Sequence, residues 1–95
     1  MAATIDRLLI ANRGEIAVRI ARTARRLGIS PIGVHSEADR GALHTRTMDR
    51  SVSLGGSTPA ESYLRVDAVV AAALATGCDA VHPGYGFLAE NPAPA

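Results

Sequence analysis

The sequence predicts an α/β domain, a Rossmann-like parallel sheet of about four strands with flanking helices. Three observations carry this. Leu8-Leu9-Ile10-Ala11 and Ile32-Gly33-Val34 are short continuous apolar runs, the pattern of strands buried on both faces of a parallel sheet. Two other segments repeat their apolar residues at the helical period. The resulting order is strand, helix, strand, connection, strand, helix, strand. Strands alternating with helices imply βαβ units joined by right-handed crossovers.

The elements follow in order. Leu8 to Ala11 forms the first strand, and Asn12-Arg13-Gly14 breaks it. From Glu15 to Leu27 the pattern is helical: Ile16, Ala17, Ile20, Ala21, Ala24 and Leu27 share one face, and Arg19, Arg22, Arg25 and Arg26 share the other. An acid in the first turn and arginines in the last suit the helix dipole, and Gly28 is placed to cap the C-terminus. Ile32 to His35 is the second strand, entered through Ser30-Pro31. Ser36 to Asp49 is polar with little periodicity and has room for one short helical turn. Ser51 to Leu54 is the third strand, followed by a loop from Gly55 to Pro59. Val66, Val69, Val70, Ala73 and Leu74 mark a second amphipathic helix, ended by Gly77. Asp79 to His82 is the fourth strand, stopped by Pro83-Gly84, and Phe87 to Glu90 opens a further helix. Residues 1–91 read as one domain, and 92–95 as an unstructured tail.

Composition narrows the function. The chain has 95 residues, ten basic and nine acidic, with a formal net charge of +1. That balance gives no footprint for nucleic acid and no polybasic contact with a membrane. All ten basic residues are arginine, so neither a phosphate-loop lysine nor a lysine nucleophile is available. Cys78 is the one cysteine, which excludes a disulfide framework and a thiolate zinc cluster; it reads as buried and inert, in a reducing compartment. No apolar run approaches the length of a membrane span, and Met1 to Arg7 is too short for a signal peptide. A cytoplasmic location is expected.

Ligands of such sheets sit at the carboxyl ends of the strands. Three loops gather there: Asn12 to Glu15, His35 to Arg40, and Pro83 to Gly86. A dinucleotide fingerprint needs three glycines in the first turn. This turn has one, and Glu15 sets a negative charge where pyrophosphate would lie, so NAD or FAD binding is not expected. Asn12 and Gly14 read as turn-shaping residues. Asp39 and Arg40 read as a solvated loop or an interdomain contact. His35, His44 and His82 are too scattered to suggest a metal site; His82 reads as bonded to a neighbouring loop. Pro83-Gly84-Tyr85-Gly86-Phe87 holds two of the three aromatic residues. Rings at that edge either pack on a neighbouring domain or line a ligand site, and both readings stand.

Four blocks resemble the opening of biotin carboxylases. They are Leu9-Ile10-Ala11-Asn12-Arg13-Gly14-Glu15-Ile16-Ala17 with Arg19; Val34-His35-Ser36 with Ala38-Asp39-Arg40 and His44; Glu61-Ser62-Tyr63-Leu64; and Ala80 to Asn91. The family includes the biotin carboxylase subunits of acyl-CoA carboxylases, and pyruvate and urea carboxylases. The resemblance implies a platform domain that precedes an ATP-grasp domain, the latter absent from this chain. It implies a parent ligase in which ATP, Mg2+ and bicarbonate carboxylate a protein-linked biotin. The family's ATP-clamping lysines, metal-binding glutamates and biotin-facing arginine lie in those later domains. The 95 residues are therefore expected to be an inactive N-terminal fragment, with no catalytic residue, no metal ligand and no tightly bound cofactor. Gly84, Tyr85 and Gly86 resemble the loop that borders the family's biotin pocket. The implied partners are the ATP-grasp domain of the same enzyme, the biotin carrier and carboxyltransferase components, and a second copy in a homodimeric parent. The chain departs from the family's pattern at Met48-Asp49-Arg50, where an acid has become a base. It departs again at Arg26, where some bacterial members pair a glutamate with the arginine matching Arg22 at the dimer interface. A third departure is Pro94, where a phenylalanine is usual. The alternative reading is a stand-alone Rossmann-like nucleotide-binding or interaction module.

Overall fold

A computed structural model describes residues 5–58, 60 and 62–83. The elements are β1 (Arg7–Ile10), α1 (Gly14–Arg26), β2 (Ser30–His35), a 3-10 turn (Glu37–Asp39), α2 (Leu43–Arg46), β3 (Arg50–Ser53), α3 (Val66–Ala75) and β4 (Ala80–His82). The four strands form one sheet in the order β3-β2-β1-β4. All pairings are parallel: Leu9 stands opposite Ile32 and Val81, Ile10 opposite Gly33 and His82, and Val34 opposite Val52. The predicted α/β class and parallel sheet are therefore observed. The helix expected to begin at Phe87 and the tail at 92–95 lie outside the described residues.

Side chains alternate across the pleat, so the central strands feed two cores. Leu9, Ile32 and Val34 point to one face and pack with Tyr63, Val69, Ala72 and Ala73. Ile10 points to the other and packs with Ala17, Ala21 and Met48. α3 thus covers one face and α1 the other. Gly33 leaves the space that Met48 fills, because a Cβ at that position would lie 2.6 Å from Met48 Cγ.

Two helix faces differ from the periodicity. In α1 the buried residues are Ala17, Val18, Ala21 and Ala24, while Leu27 is 70% exposed. The helix ends at Arg26, so Leu27 has left the helical path before it can follow the stripe. Arg25, expected on the solvent face, reaches across: its Nη2 donates to the Thr47 carbonyl at 2.6 Å, and its Nη1 pairs with Asp49 at 2.7 Å. In α3 the buried stripe is Val69, Ala72 and Ala73, whereas Val66 and Val70 are exposed and Leu74 is 77% exposed. α3 is apolar nearly all round, so its sequence does not pick out the face that the sheet will cover. Both helices are followed by glycines in the left-handed region, Gly28 at φ 77 and Gly77 at φ 69, as the capping argument requires.

The polar connection after β2 holds two short helical pieces where one was expected. His44 of α2 is buried, and the Val34 carbonyl accepts from its Nε2 at 3.1 Å. Burial pushes its pKa below the ordinary value of 6.5.

Candidate functional site

β1 leads through α1 to β2 on one side, and β3 leads through α3 to β4 on the other side of β1. The connections diverge between β1 and β4, the point at which open α/β sheets bind ligands beyond the strand carboxyl ends. There the Ala11 N–H donates to the His82 carbonyl at 2.9 Å. The next residue, Asn12, is 1% exposed and uses both ends of its carboxamide. Nδ2 donates to the Pro83 carbonyl at 2.8 Å, and Oδ1 accepts from the Arg13 N–H at 2.8 Å. Pro83 is the last residue described before Gly84, Tyr85 and Gly86, and those three candidate residues lie outside the described residues.

The turn after β1 is also tied to the loop after β2. Arg13 Nε and Nη2 each donate to Asp39 at 2.6 Å, one to each carboxylate oxygen. Such two-point pairs fix geometry as well as charge. Tyr63 adds its hydroxyl at 2.7 Å, and the Ser36 N–H donates back to that hydroxyl at 3.3 Å. Asp39 is 7% exposed, and the Arg13 hydrogen bonds hold its pKa down to about 2, the Tyr63 hydroxyl acting in the same direction. Burial, reinforced by the bond to Asp39, pushes the Tyr63 phenol up to about 12. This network corrects the reading of Asp39 as a solvated loop residue: its carboxylate is buried and bonded within the domain. Arg40 does fit the solvated reading, being exposed and, among the described residues, paired with Glu37 at 2.8 Å.

The histidines do not converge. His35 Nδ1 lies 2.7 Å from Ser51 Oγ, and burial lowers its pKa. His44 is on α2. His82 is exposed and stands, with Leu8, Ile16, Ile20 and Leu27, along an open groove of ≈ 500 Å³ between α1 and the sheet edge. That groove is mostly apolar, with Arg19 and Thr23 completing its lining among the described residues. No group of three or more metal-ligating side chains occurs among the described residues. Cys78 is half-buried rather than buried, its sulfur 3.2 Å from the Thr76 hydroxyl. Asp49, within the departing Met48-Asp49-Arg50 run, accepts from Ser30 Oγ and pairs with Arg25.

Of the three predicted loops, the structure joins the first two through Arg13 and Asp39 and places the beginning of the third against Asn12. Sequence reasoning placed Tyr63 only within the Glu61-Ser62-Tyr63-Leu64 block and gave it no role, because no spacing connects it to Asp39.

Comparison with known proteins agrees with this architecture. The family model described as "Biotin carboxylase, N-terminal domain" matches residues 4–95. The mitochondrial methylcrotonoyl-CoA carboxylase subunit alpha of Oryza sativa subsp. japonica is 59% identical over 87 residues, 92% of this chain and 12% of the relative. Biotin carboxylase 1 of Bacillus subtilis is 56% identical over the same span of 87 residues, 92% of this chain and 19% of the relative. The crystal structure of Kluyveromyces lactis urea carboxylase superposes with a TM-score of 0.87 at 50% identity, covering 88% of this chain and 7% of that one. The chain thus spans less than a fifth of the length of these relatives. No helix among the described residues is long and apolar enough to cross a membrane. On the family match and these identities, the chain belongs to the biotin carboxylase N-terminal domain family.

Proposed function

We propose that these residues form the N-terminal platform of a biotin-dependent carboxylase, a ligase that carboxylates protein-linked biotin with ATP and bicarbonate, and that Gly84, Tyr85 and Gly86 border its biotin pocket. The observation that carries this is the position of Pro83. It stands at the carboxyl end of β4, at the divergence of the two crossovers, and leads directly into the Gly-Tyr-Gly stretch. A tyrosine between two glycines presents one ring without bulky neighbours. Its face suits the apolar part of biotin and its hydroxyl the polar ureido edge.

The described residues do not themselves fit ATP or a divalent metal. The chain has no lysine. Arg13, Arg25, Arg40 and Arg65 are each paired with a carboxylate, and no metal-ligating cluster occurs among the described residues. The platform's part is to hold a loop at the sheet edge, and phosphoryl chemistry belongs to later domains. The partners under this reading are the ATP-grasp, biotin-carrier and carboxyltransferase parts of the same carboxylase. A cytoplasmic location goes with it, the single cysteine fitting a reducing compartment.

The test is Tyr85→Ala in the full-length carboxylase that carries this sequence. Loss of one aromatic contact at about 1–2 kcal/mol raises KM for free biotin about tenfold, while KM for ATP stays in place. If Tyr85 only packs on the next domain, thermal stability drops and both constants move together. An unchanged KM for biotin in a stably folded variant refutes the ligand role.

A further inference from the structure

We propose that the outer face of α1 is a docking surface for an acidic helix of a partner protein, contacted through Arg19, Arg22 and Arg26.

An α-helix turns about 100° and rises about 1.5 Å per residue, so these three positions fall within an arc of about 60° along about 10 Å of the axis. All three are exposed. Arg13, Arg25, Arg40 and Arg65 have carboxylate partners within the fold. Arg19, Arg22 and Arg26 have none among the described residues. Arg25 stands about 60° round the helix from Arg22 and is neutralised by Asp49. Charge is therefore matched where α1 meets the segment before β3 and left unmatched where the helix faces outward. α2 packs beside α1 and ends in another exposed arginine, Arg46. Like charges three and four residues apart on a helix repel. A row of carboxylates laid along the stripe relieves that repulsion and adds attraction.

A second copy of the chain cannot supply such a row from the described residues. Glu37, Asp39, Asp49 and Asp67 are already ion-paired, and Asp79 is held by the N–H groups of Asp6 and Arg7. Asp6 and Glu15 are left, at opposite ends of β1. Nor does α1 complement itself. An antiparallel contact that sets Glu15 against Arg26 also sets Arg19 against Arg22, because the two pairs share one centre. A parallel contact sets each arginine against its own copy. A partner helix with carboxylates at i, i+4 and i+7 reproduces the spacing of the three arginines when it runs antiparallel to α1. The guanidinium fork suits the contact, since it takes a carboxylate at two points.

The probe is a fluorescent helical peptide with glutamates at i, i+4 and i+7, set beside a peptide of the same composition whose glutamates are spread round the helix. Each is titrated by anisotropy against the full-length protein that carries this sequence, at about 20 mM salt, where screening is weak. The ordered peptide is expected to bind more tightly than the spread one. The triple variant Arg19→Glu, Arg22→Glu, Arg26→Glu is expected to weaken its binding at least about tenfold, and the difference to shrink at about 150 mM salt. The three side chains hold nothing within the described fold, so the variant should melt as the unmodified protein does. If glutamates in the last turn disturb α1, the triple change to glutamine is measured in its place. Equal affinity for the two peptides, or binding of the ordered peptide unchanged by the variant, overturns the inference. Phosphatidylserine vesicles bound more tightly than the ordered peptide, and released by the variant, would assign the stripe to a membrane surface and overturn it. A dimer in light scattering that the variant dissociates would assign the face to a second copy, with the same result.

Discussion

The Tyr63 hydroxyl and Arg13 Nε meet on one oxygen of Asp39, at 2.7 and 2.6 Å. The Tyr63 ring is 1% exposed and belongs to the core beneath α3, whereas Arg13 lies in the turn that opens α1 on the opposite face. Asp39 is thus the joint between the core of one face and the carboxyl-edge turn of the other. The order of that edge is set partly by how well Tyr63 is packed.

Tyr63→Phe tests this joint without a change of shape. It removes one donor from Asp39 and leaves the Ser36 N–H without the oxygen that now accepts from it. Loss of the hydroxyl costs about 1–2 kcal/mol, which lowers Tm by about 4–8 °C per kcal/mol in a domain of this size. Urea and thermal unfolding measure it. A Tm equal to that of the unmodified chain would show that the hydroxyl carries no stability.

The same joint gives stability two pH limits. The folded-state pKa of Asp39 is lowered to about 2, so in acid the unfolded chain binds the proton more readily. The contribution of Asp39 is complete above its unfolded value, near 4, and is lost as pH falls through about 2. Half-exposed Arg13 is screened by water, which limits the contribution to about 1 kcal/mol. Tyr63 is raised to about 12, so its contribution is complete below pH 10 and is lost as pH rises through about 12. Tm measured against pH should show Asp39→Asn flattening the acid limb and Tyr63→Phe the alkaline one. An acid limb unchanged in Asp39→Asn would assign it to other carboxylates.

The strands were readable because central parallel strands are buried on both faces and so appear as unbroken apolar runs; Leu9 and Ile10, adjacent in sequence, fill opposite cores. α1 was readable because its arginines mark the outer face. α3 carries only Asp67 as a polar marker in Val66–Ala75, so period alone put Val70 and Leu74 in the core where Ala72 belongs. The carboxyl-edge loops were located from topology, but their bonding was not. Arg13 and Asp39 are 26 residues apart, Tyr63 and Asp39 24, and nothing local in a sequence records such a meeting. From sequence Asp39 therefore reads as a solvated loop residue or an interdomain contact, whereas in the fold it is buried and held by three side-chain bonds.

Gly33 and Met48 should behave as a coupled pair. A Cβ at position 33 would stand 2.6 Å from Met48 Cγ, so Gly33→Ala forces Met48 to shift, at about 1–3 kcal/mol. Met48→Ala leaves a void, at about 2–4 kcal/mol. Together the new methyl occupies part of that void, and the double variant should be less destabilised than the sum by at least about 1 kcal/mol. Strict additivity in a double-mutant cycle would mean that the two sites do not share this space.

Val66, Val70 and Leu74 form an exposed apolar row along α3. Val70→Gln with Leu74→Gln removes no buried contact and should change stability by less than about 0.5 kcal/mol per site. The 95-residue chain should meanwhile bind less hydrophobic dye and self-associate less in light scattering. A large loss of stability would show that the row is covered within the chain itself.

The 95-residue chain alone should not hydrolyse ATP in a biotin-dependent way. Transfer of a phosphoryl group needs fixed cations and a metal aimed at the charge that develops in the transition state. The chain offers arginine only, and four of those arginines are neutralised by carboxylates in the described structure. A paired guanidinium has its forks turned to the carboxylate, so recruiting it for phosphate would break a bond already made. For Arg13 the release would also strip Asp39 of two of its three side-chain donors and leave a buried carboxylate under-satisfied. Using these pairs for catalysis would therefore cost the platform its own structural bonds. Phosphate release from ATP, followed with and without free biotin and bicarbonate, decides the matter. Turnover that depends on both would place catalytic groups within these 95 residues, against the charge pairing seen in the fold.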